Sequence, residues 1–167
     1  IVIVNTCGFI QSAKEEAIET ILEFCTLKKE GRIKAVVITG CLAERYREEV
    51  SELISEADAV IGIGCNEDIV EIINKVAEGE KISRFDEKEK LSLTGGRIIS
   101  TLPFFAYLKV AEGCDNCCSY CAIPSIRGRF RSNPIEEVVK EAEYLVDNGV
   151  REINLIAQDT TRYGEDL

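Results

Sequence analysis

Along the first eighty residues, short β-branched runs alternate with stretches whose apolar positions recur every three or four residues. Residues 1–4, 35–38 and 59–63 predict strands, and each is followed by an amphipathic helical pattern. Ser12 with Glu15 reads as a capping box opening the first helix. Its apolar face carries Ala17, Ile18, Ile21, Leu22 and Cys25, and Gly31 closes it. A second helix repeats the spacing through Tyr46, Val50, Leu53 and Ile54. Asn66 is expected to cap a third, with Glu67 and Asp68 complementing the helix dipole and Ile69, Ile73 and Val76 facing inward. Alternation of this kind predicts an α/β fold whose N-terminal domain has three layers, a parallel sheet between helices.

From about Ser83 to Thr101 the periodicity lapses into charge, Asp86 to Lys90, and Gly95-Gly96. This reads as a linker or an exposed hairpin. An apolar strand at 107–111 then runs straight into a cysteine-rich loop. Pro134 in a first helical turn, capped by Asn133, opens a helix carrying Val138, Val139, Ala142, Leu145 and Val146. Gly149 ends it, and 153–157 form the next strand. The expected organisation is a domain over 1–82, a linker over 83–100, and from 101 to 167 the β–loop–α–β start of a barrel or open sheet.

Composition changes this picture in three ways. The 167 residues, 46% hydrophobic, can bury a core. A net charge of −10 disfavours sequence-independent nucleic-acid binding and suits a basic protein partner, although simple solubility explains it as well. The chain has no His, which removes imidazole ligands and the usual general base, and no Met. It opens inside an apolar run, so it reads as an interior piece of a longer protein that lacks its own N-terminus. No apolar run approaches the roughly 20 residues of a membrane helix, so no membrane role is expected. Eight cysteines could mean four disulfides in a secreted protein, but long βα patterning and a tight cluster suit metal in a reducing cytoplasm better.

Half of those cysteines lie in eight residues, Cys114-Asp-Asn-Cys117-Cys118-Ser-Tyr-Cys121. Cys114, Cys118 and Cys121 can hold three corners of a four-iron cluster and leave the fourth iron open to a ligand such as S-adenosylmethionine. A zinc reading also exists, because Cys114-x-x-Cys117 and Cys118-x-x-Cys121 are back-to-back pairs. Adjacent Cys117 and Cys118 would point apart, which strains one ion, so Cys117 is taken as a bystander. Cys7 and Cys41 each follow the carboxyl end of an expected strand, where ligands bind in parallel sheets. They could share a second metal centre, or each could simply be buried. Cys65 also follows a strand and could join them by the same geometry, while Cys25 belongs to a helix core. Arg127, Arg129 and Arg131 alternate with apolar residues. They could contact RNA, anchor anions and carboxylates beside a cofactor, or lie in a solvated loop.

With Tyr120 before its last cysteine, the trio resembles the radical S-adenosylmethionine superfamily. Ala111-Glu112-Gly113 and Ile123-Pro124-Ser125-Ile126-Arg127-Gly128 narrow the resemblance to the methylthiotransferases. Asn5-Thr6-Cys7-Gly8-Phe9-Ile10, Ala13-Lys14-Glu15-Glu16 and Thr39-Gly40-Cys41-Leu42 are similar to the branch that acts on an aspartate of ribosomal protein twelve of the small subunit. The resemblance implies that 101–167 begin a radical SAM βα barrel. It implies that Cys114, Cys118 and Cys121 hold a 4Fe-4S cluster that binds and cleaves S-adenosylmethionine, with Tyr120 against the adenine and Gln158 and Asp159 near the cofactor. Cys7 and Cys41 would be two of three ligands to an auxiliary 4Fe-4S cluster, the other ligand preceding this chain, which demotes Cys65. The rest of the barrel and a TRAM domain would lie beyond residue 167, and this piece alone would be inactive. The implied chemistry is a methylthio transfer to the aspartate β-carbon, using one cofactor molecule as methyl donor and another as radical source. The implied partners are the basic ribosomal protein and an electron donor. The alternatives are the same transfer to a tRNA adenosine, or a zinc-binding module without catalysis.

Overall fold

The β-branched runs at 36–40 and 59–61 form strands covered on both faces, while the run at 2–6 leaves Ile3 exposed. The computed structural model describes residues 1–100 and 104–167, which divide into two units, Ile1–Leu91 and Ser92–Leu167. In the first, β1 (Val2–Thr6) is followed by α1 (Gln11–Lys29), β2 (Val36–Gly40), α2 (Cys41–Arg45) and α3 (Arg47–Leu53). Then come β3 (Ala59–Ile61), a 3-10 turn (Ile63–Asp68), α4 (Ile69–Ala77) and β4 (Ile82–Arg84). The strands make one parallel sheet in the order β1-β2-β3-β4. Alternate β2 residues serve opposite faces, as the pleat requires. Val36 and Ile38 pack with Ala17, Ile21, Cys25, Leu42, Val50 and Ile54. Val37 packs on the other side with Ala59, Ile61, Ile72 and Val76. Every β2 residue is buried, which is why that run is continuously apolar up to its last turns. The sheet with helices on both faces is the three-layer arrangement expected.

Local details depart from expectation for identifiable reasons. No capping box forms: α1 begins at Gln11 after Ile10, without a side-chain cap, and Gln11 Nε2 donates instead to Glu15 Oε1 at 2.8 Å. The second helix breaks at Tyr46, whose φ −123° and ψ 49° leave the helical region, and Leu53 is 81% exposed. Asn66 does not cap α4. Its Oδ1 accepts the Thr39 hydroxyl at 2.9 Å, so the side chain serves the sheet edge. Ile72 is buried, and Ile73 is only partly covered. Strand β4 extends the first sheet past residue 82, and Phe85 packs on its core.

In the second unit, β5 (Phe105–Lys109) is followed by β6 (Ala111–Glu112), α5 (Ile123–Arg127), β7 (Arg131–Ser132), α6 (Ile135–Asp147) and β8 (Glu152–Ile156). Strands β5 and β8 pair in parallel over their whole length, with α6 as the crossover. Ala106, Leu108, Val110, Val138, Leu145 and Val150 form the core between them. Strands β6 and β7 form a short antiparallel clip at the base of the excursion over 113–130. Arg97 joins this unit through the Tyr107 carbonyl, 2.6 Å, and Glu141, 2.9 Å. The expected second-domain start, residue 101, lies outside the described residues. Asn133 does not cap α6, where Pro134 stands instead. The Asn133 backbone is fixed at both ends, its N–H to the Val110 carbonyl at 2.8 Å and its carbonyl to the Tyr163 hydroxyl at 2.8 Å. This draws the side chain fully inside, where neither amide atom has a hydrogen bond.

Candidate metal centres

The cysteine loop leaves the carboxyl end of β5 through the β6–β7 clip and returns through α5. Gly113 has φ +79°, and a methyl group there would overlap the Arg129 carbonyl. Only glycine lets the two stems of the loop approach so closely. The Cys114 N–H then bonds the Gly128 carbonyl at 3.2 Å. Three further side chains hold the loop from outside it or across it. Gln158 Oε1, just past β8, accepts the Gly113 N–H at 2.9 Å. Asp159 Oδ2 accepts Asn116 Nδ2 at 2.9 Å, while its other oxygen accepts Thr161 N–H and Oγ1. Asp115 Oδ1 accepts the Phe130 N–H at 3.1 Å. The Asp159 carboxyl is held below its usual range by the hydrogen bonds from Thr161 and then Asn116.

Beneath the loop lies Glu112, 1% exposed. Its Oε2 is 2.8 Å from Lys109 Nζ and 3.6 Å from Arg127, and Oε1 accepts the Gly113 N–H at 3.3 Å. Arg127 is therefore turned toward a buried carboxylate. Phe130 is buried with the Arg162 guanidinium 5.5 Å from its ring centre, and Arg129 is 84% exposed. The three arginines do not form one outward-facing strip.

Cys114 is buried, Cys121 is partly covered, and Cys117 and Cys118 are exposed. A tight turn brings the Cys121 N–H to the Cys118 carbonyl at 3.1 Å, and Cys121 Sγ accepts the Ile123 N–H at 3.5 Å. Cys117 Sγ stands 3.8 Å from the Asp115 carbonyl. Tyr120, 90% exposed, leaves its ring face free.

The first unit arranges Cys7 and Cys41 differently. The register pairs Thr6 with Gly40, so the two cysteines follow directly from paired residues on adjacent strands. Such strands run about 4.8 Å apart. A methyl group on Gly8 would stand 2.9 Å from the Cys41 carbonyl, so the turn after Cys7 rests on the backbone of Cys41. Thr6 Oγ1 donates to the Thr39 carbonyl at 2.6 Å and accepts the Leu42 N–H at 3.2 Å. Arg45 Nη1 closes the arrangement on the Gly8 carbonyl at 2.9 Å. Cys7 is exposed and Cys41 buried. Cys65 follows β3 but turns toward β4. Its Sγ donates to the Arg84 carbonyl and accepts the Asp86 N–H, both at 3.3 Å, and burial pushes its thiol pKa up. Burial does the same to Cys25, within the α1 core.

None of the eight cysteines is in a disulfide. Among the described residues, no three Cys, Asp, Glu or His side chains converge as a metal site. What fits an iron–sulfur group is the chemistry of the donors: three unpaired soft thiols on one loop, and two more at one sheet edge. Sequence reasoning gave no role to Glu112, quoted only within Ala111-Glu112-Gly113, nor to Asp115 and Asn116, which carry no signal beyond lying in the cysteine loop.

Residues 1–62 match the family model described as "Uncharacterized protein family UPF0004", and residues 108–166 match that of the "Radical SAM superfamily". The chain is similar to the "Ribosomal protein uS12 methylthiotransferase RimO" of Desulforamulus reducens, 53% identical over 169 residues, covering 99% of this chain and 38% of the relative. Proteins of the same description from Clostridium tetani and Clostridioides difficile are 47% and 48% identical, covering 100% of this chain and 38% of each relative. The chain thus spans 38% of the length of these curated relatives.

Proposed function

The chain belongs to the radical SAM methylthiotransferases, and from that membership we propose that the whole protein adds a methylthio group to the β-carbon of an aspartate in ribosomal protein uS12. The observation that carries this reading is the presence of two sets of cysteines outside any disulfide: a 3-2-spaced trio beyond β5, and Cys7 with Cys41 at the edge of a parallel sheet. The similarity to uS12-modifying relatives supports the substrate.

Cys114, Cys118 and Cys121 would hold a 4Fe-4S cluster and leave Cys117 outside it; Cys7 and Cys41 would contribute to a second, auxiliary one. When bound, a cluster with three thiolates supplies an open iron for S-adenosylmethionine and the electron that cleaves it. The protein's own residues set the stage. Gln158 and Asp159 fix the stem and middle of the loop through Gly113 and Asn116, and would stand near the cofactor that the loop takes. Tyr120 offers an exposed ring for stacking on adenine. Glu112 keeps Arg127 turned inward, so the basic run is a poor RNA surface, and the net charge of −10 suits a basic protein substrate. Eight cysteines without a disulfide suit a reducing cytoplasm, where an electron donor is at hand. Among the described residues no helix is long and apolar enough to cross a membrane.

Expressing the full-length protein in a host lacking its own enzyme tests the reading. A methylthio mass increment on the uS12 aspartate is the expected result. Methylthio groups on tRNA adenosine with uS12 untouched would move the substrate to nucleic acid. Zinc without sulfide in anaerobically purified protein would remove the catalytic reading altogether.

A further inference from the structure

Glu44 has no part in the scheme above, yet its side chain is wholly withdrawn from solvent. It lies in α2, three residues after Cys41. Both of its oxygens are engaged. Oε1 pairs with the Arg47 guanidinium and lies 3.8 Å from Lys88 Nζ, and Oε2 accepts the Ile63 N–H at 3.1 Å. These partners come from three separate segments beyond the carboxyl ends of β2, β3 and β4. Arg47 opens α3, where its Nε also donates to the Glu44 carbonyl at 3.3 Å and its guanidinium lies 5.2 Å from the Phe85 ring centre. Ile63 starts the 3-10 turn behind β3, and Lys88 follows β4.

A buried carboxylate is costly and persists only where charge and N–H donors surround it. Filling the same space with an apolar side chain would serve packing alone as well. Helix α2 has five residues, too few to support itself. Thr6 holds one side of it through the Leu42 and Ala43 N–H groups, at 3.2 and 3.5 Å. Glu44 holds the other. We infer that Glu44 is the positioning residue for Cys41: it locks α2 against the β3 and β4 loops and so fixes the Cys41 thiol beside Cys7. This rests on the reading that Cys7 and Cys41 take iron, and it adds the residue that sets their geometry.

The experiment uses full-length protein carrying Cys114→Ala, Cys118→Ala and Cys121→Ala, so that iron taken up anaerobically with sulfide reports the Cys7–Cys41 centre. Glu44→Ala should lower iron affinity there about tenfold, the usual cost of losing a group that orients a ligand. Glu44→Gln, which keeps an acceptor for Ile63, should recover part of it. In the metal-free protein Glu44→Ala should speed alkylation of the otherwise buried Cys41 by iodoacetamide, while Cys25, buried in the same unit, stays protected. Unchanged iron affinity and Cys41 reactivity would overturn the inference. So would equal acceleration at Cys25, the sign of general loosening. If Glu44→Ala loosens the unit, Glu44→Gln decides by the same two thiols. Iron uptake that persists after Cys7→Ala and Cys41→Ala would instead remove the metal centre itself, a separate failure.

Discussion

The two proposed cysteine sites are built in opposite ways. At Cys7 and Cys41 the sheet does most of the work. Two paired strands end at the same level, and a ladder of backbone hydrogen bonds delivers both residues to one edge. At Cys114, Cys118 and Cys121 there is no ladder. The excursion over 113–122 contains no strand or helix, so its position depends on side chains brought from Gln158, Asp159, Asp115 and Glu112. A ladder gives one residue per strand, and three thiols would need three strands. A loop gives three within eight residues but leaves its backbone groups to be satisfied one at a time. Placement at the sheet edge is thus inherited from the fold, with Thr6 and Glu44 fixing the short helix that carries Cys41, whereas placement in the loop is assembled wholly from individual contacts.

The sharpest test of that contrast removes ligands. Cys114→Ala should take away about half the iron of the reconstituted full-length protein and leave the Cys7–Cys41 iron in place. Cys117→Ala should leave both. Iron and sulfide counting checks this, and a loss on Cys117→Ala with none on Cys114→Ala would reverse the ligand assignment. Next in size is the stem of the loop. Gly113→Ala should cost about 3 kcal/mol, from its positive φ and the overlap with Arg129. Hydrogen exchange should show the loss confined to the second unit. Gly8→Ala meets its neighbours at 2.9 Å and should cost only about 1–2 kcal/mol, confined to the first. If both losses spread over both units, the sites are not independently built.

This difference in construction also decides what the sequence could tell. The three β-branched runs, their parallel pairing and the edge placement of Cys7 and Cys41 are legible because period and strand order carry them. The cysteine spacing is legible because it is chemical. What stays hidden is the support. Asn66 and Asn133 have the composition of helix caps, yet one is drawn to Thr39 and the other sealed inside by contacts to Val110 and Tyr163. Glu112 and Glu44 look like ordinary surface acids until folding surrounds them with cations. Such roles come from residues distant in sequence, which local pattern does not encode.

Support by side chains predicts a further, smaller asymmetry. Glu112→Gln keeps the acceptor for Gly113 but removes the charge facing Lys109 and Arg127. Those cations are 36% and 25% exposed and can turn to water, so the cost should be about 1–2 kcal/mol rather than that of a sealed ion pair. Denaturant unfolding of the second unit measures it. Thiol reactivity gives a companion reading. Cys7, Cys117 and Cys118 should alkylate first in metal-free protein, and Cys25 and Cys65, whose thiol pKa burial raises, should alkylate last.

The mildest expected effect concerns the Asn116–Asp159 contact, the most exposed of the loop's supports. Hydrogen bonds from Thr161 and Asn116 hold the Asp159 carboxyl below its usual range. A carboxylate depressed in the folded state contributes stability that is fully present above its unfolded pKa, about 3.9. That contribution is lost as pH falls through the lower folded value. Between pH 7 and 5 the loop should therefore be indifferent to acid. Below about pH 4 the Thr161 and Asn116 amide signals should shift together while those of Thr6 and Gly40 hold, since backbone pairing sets that end of the register. Asn116→Ala should move the Asp159 titration upward toward the ordinary value. If the titration stays where it was, Thr161 alone holds the carboxylate, and the middle of the cysteine loop is tethered by something other than Asp159.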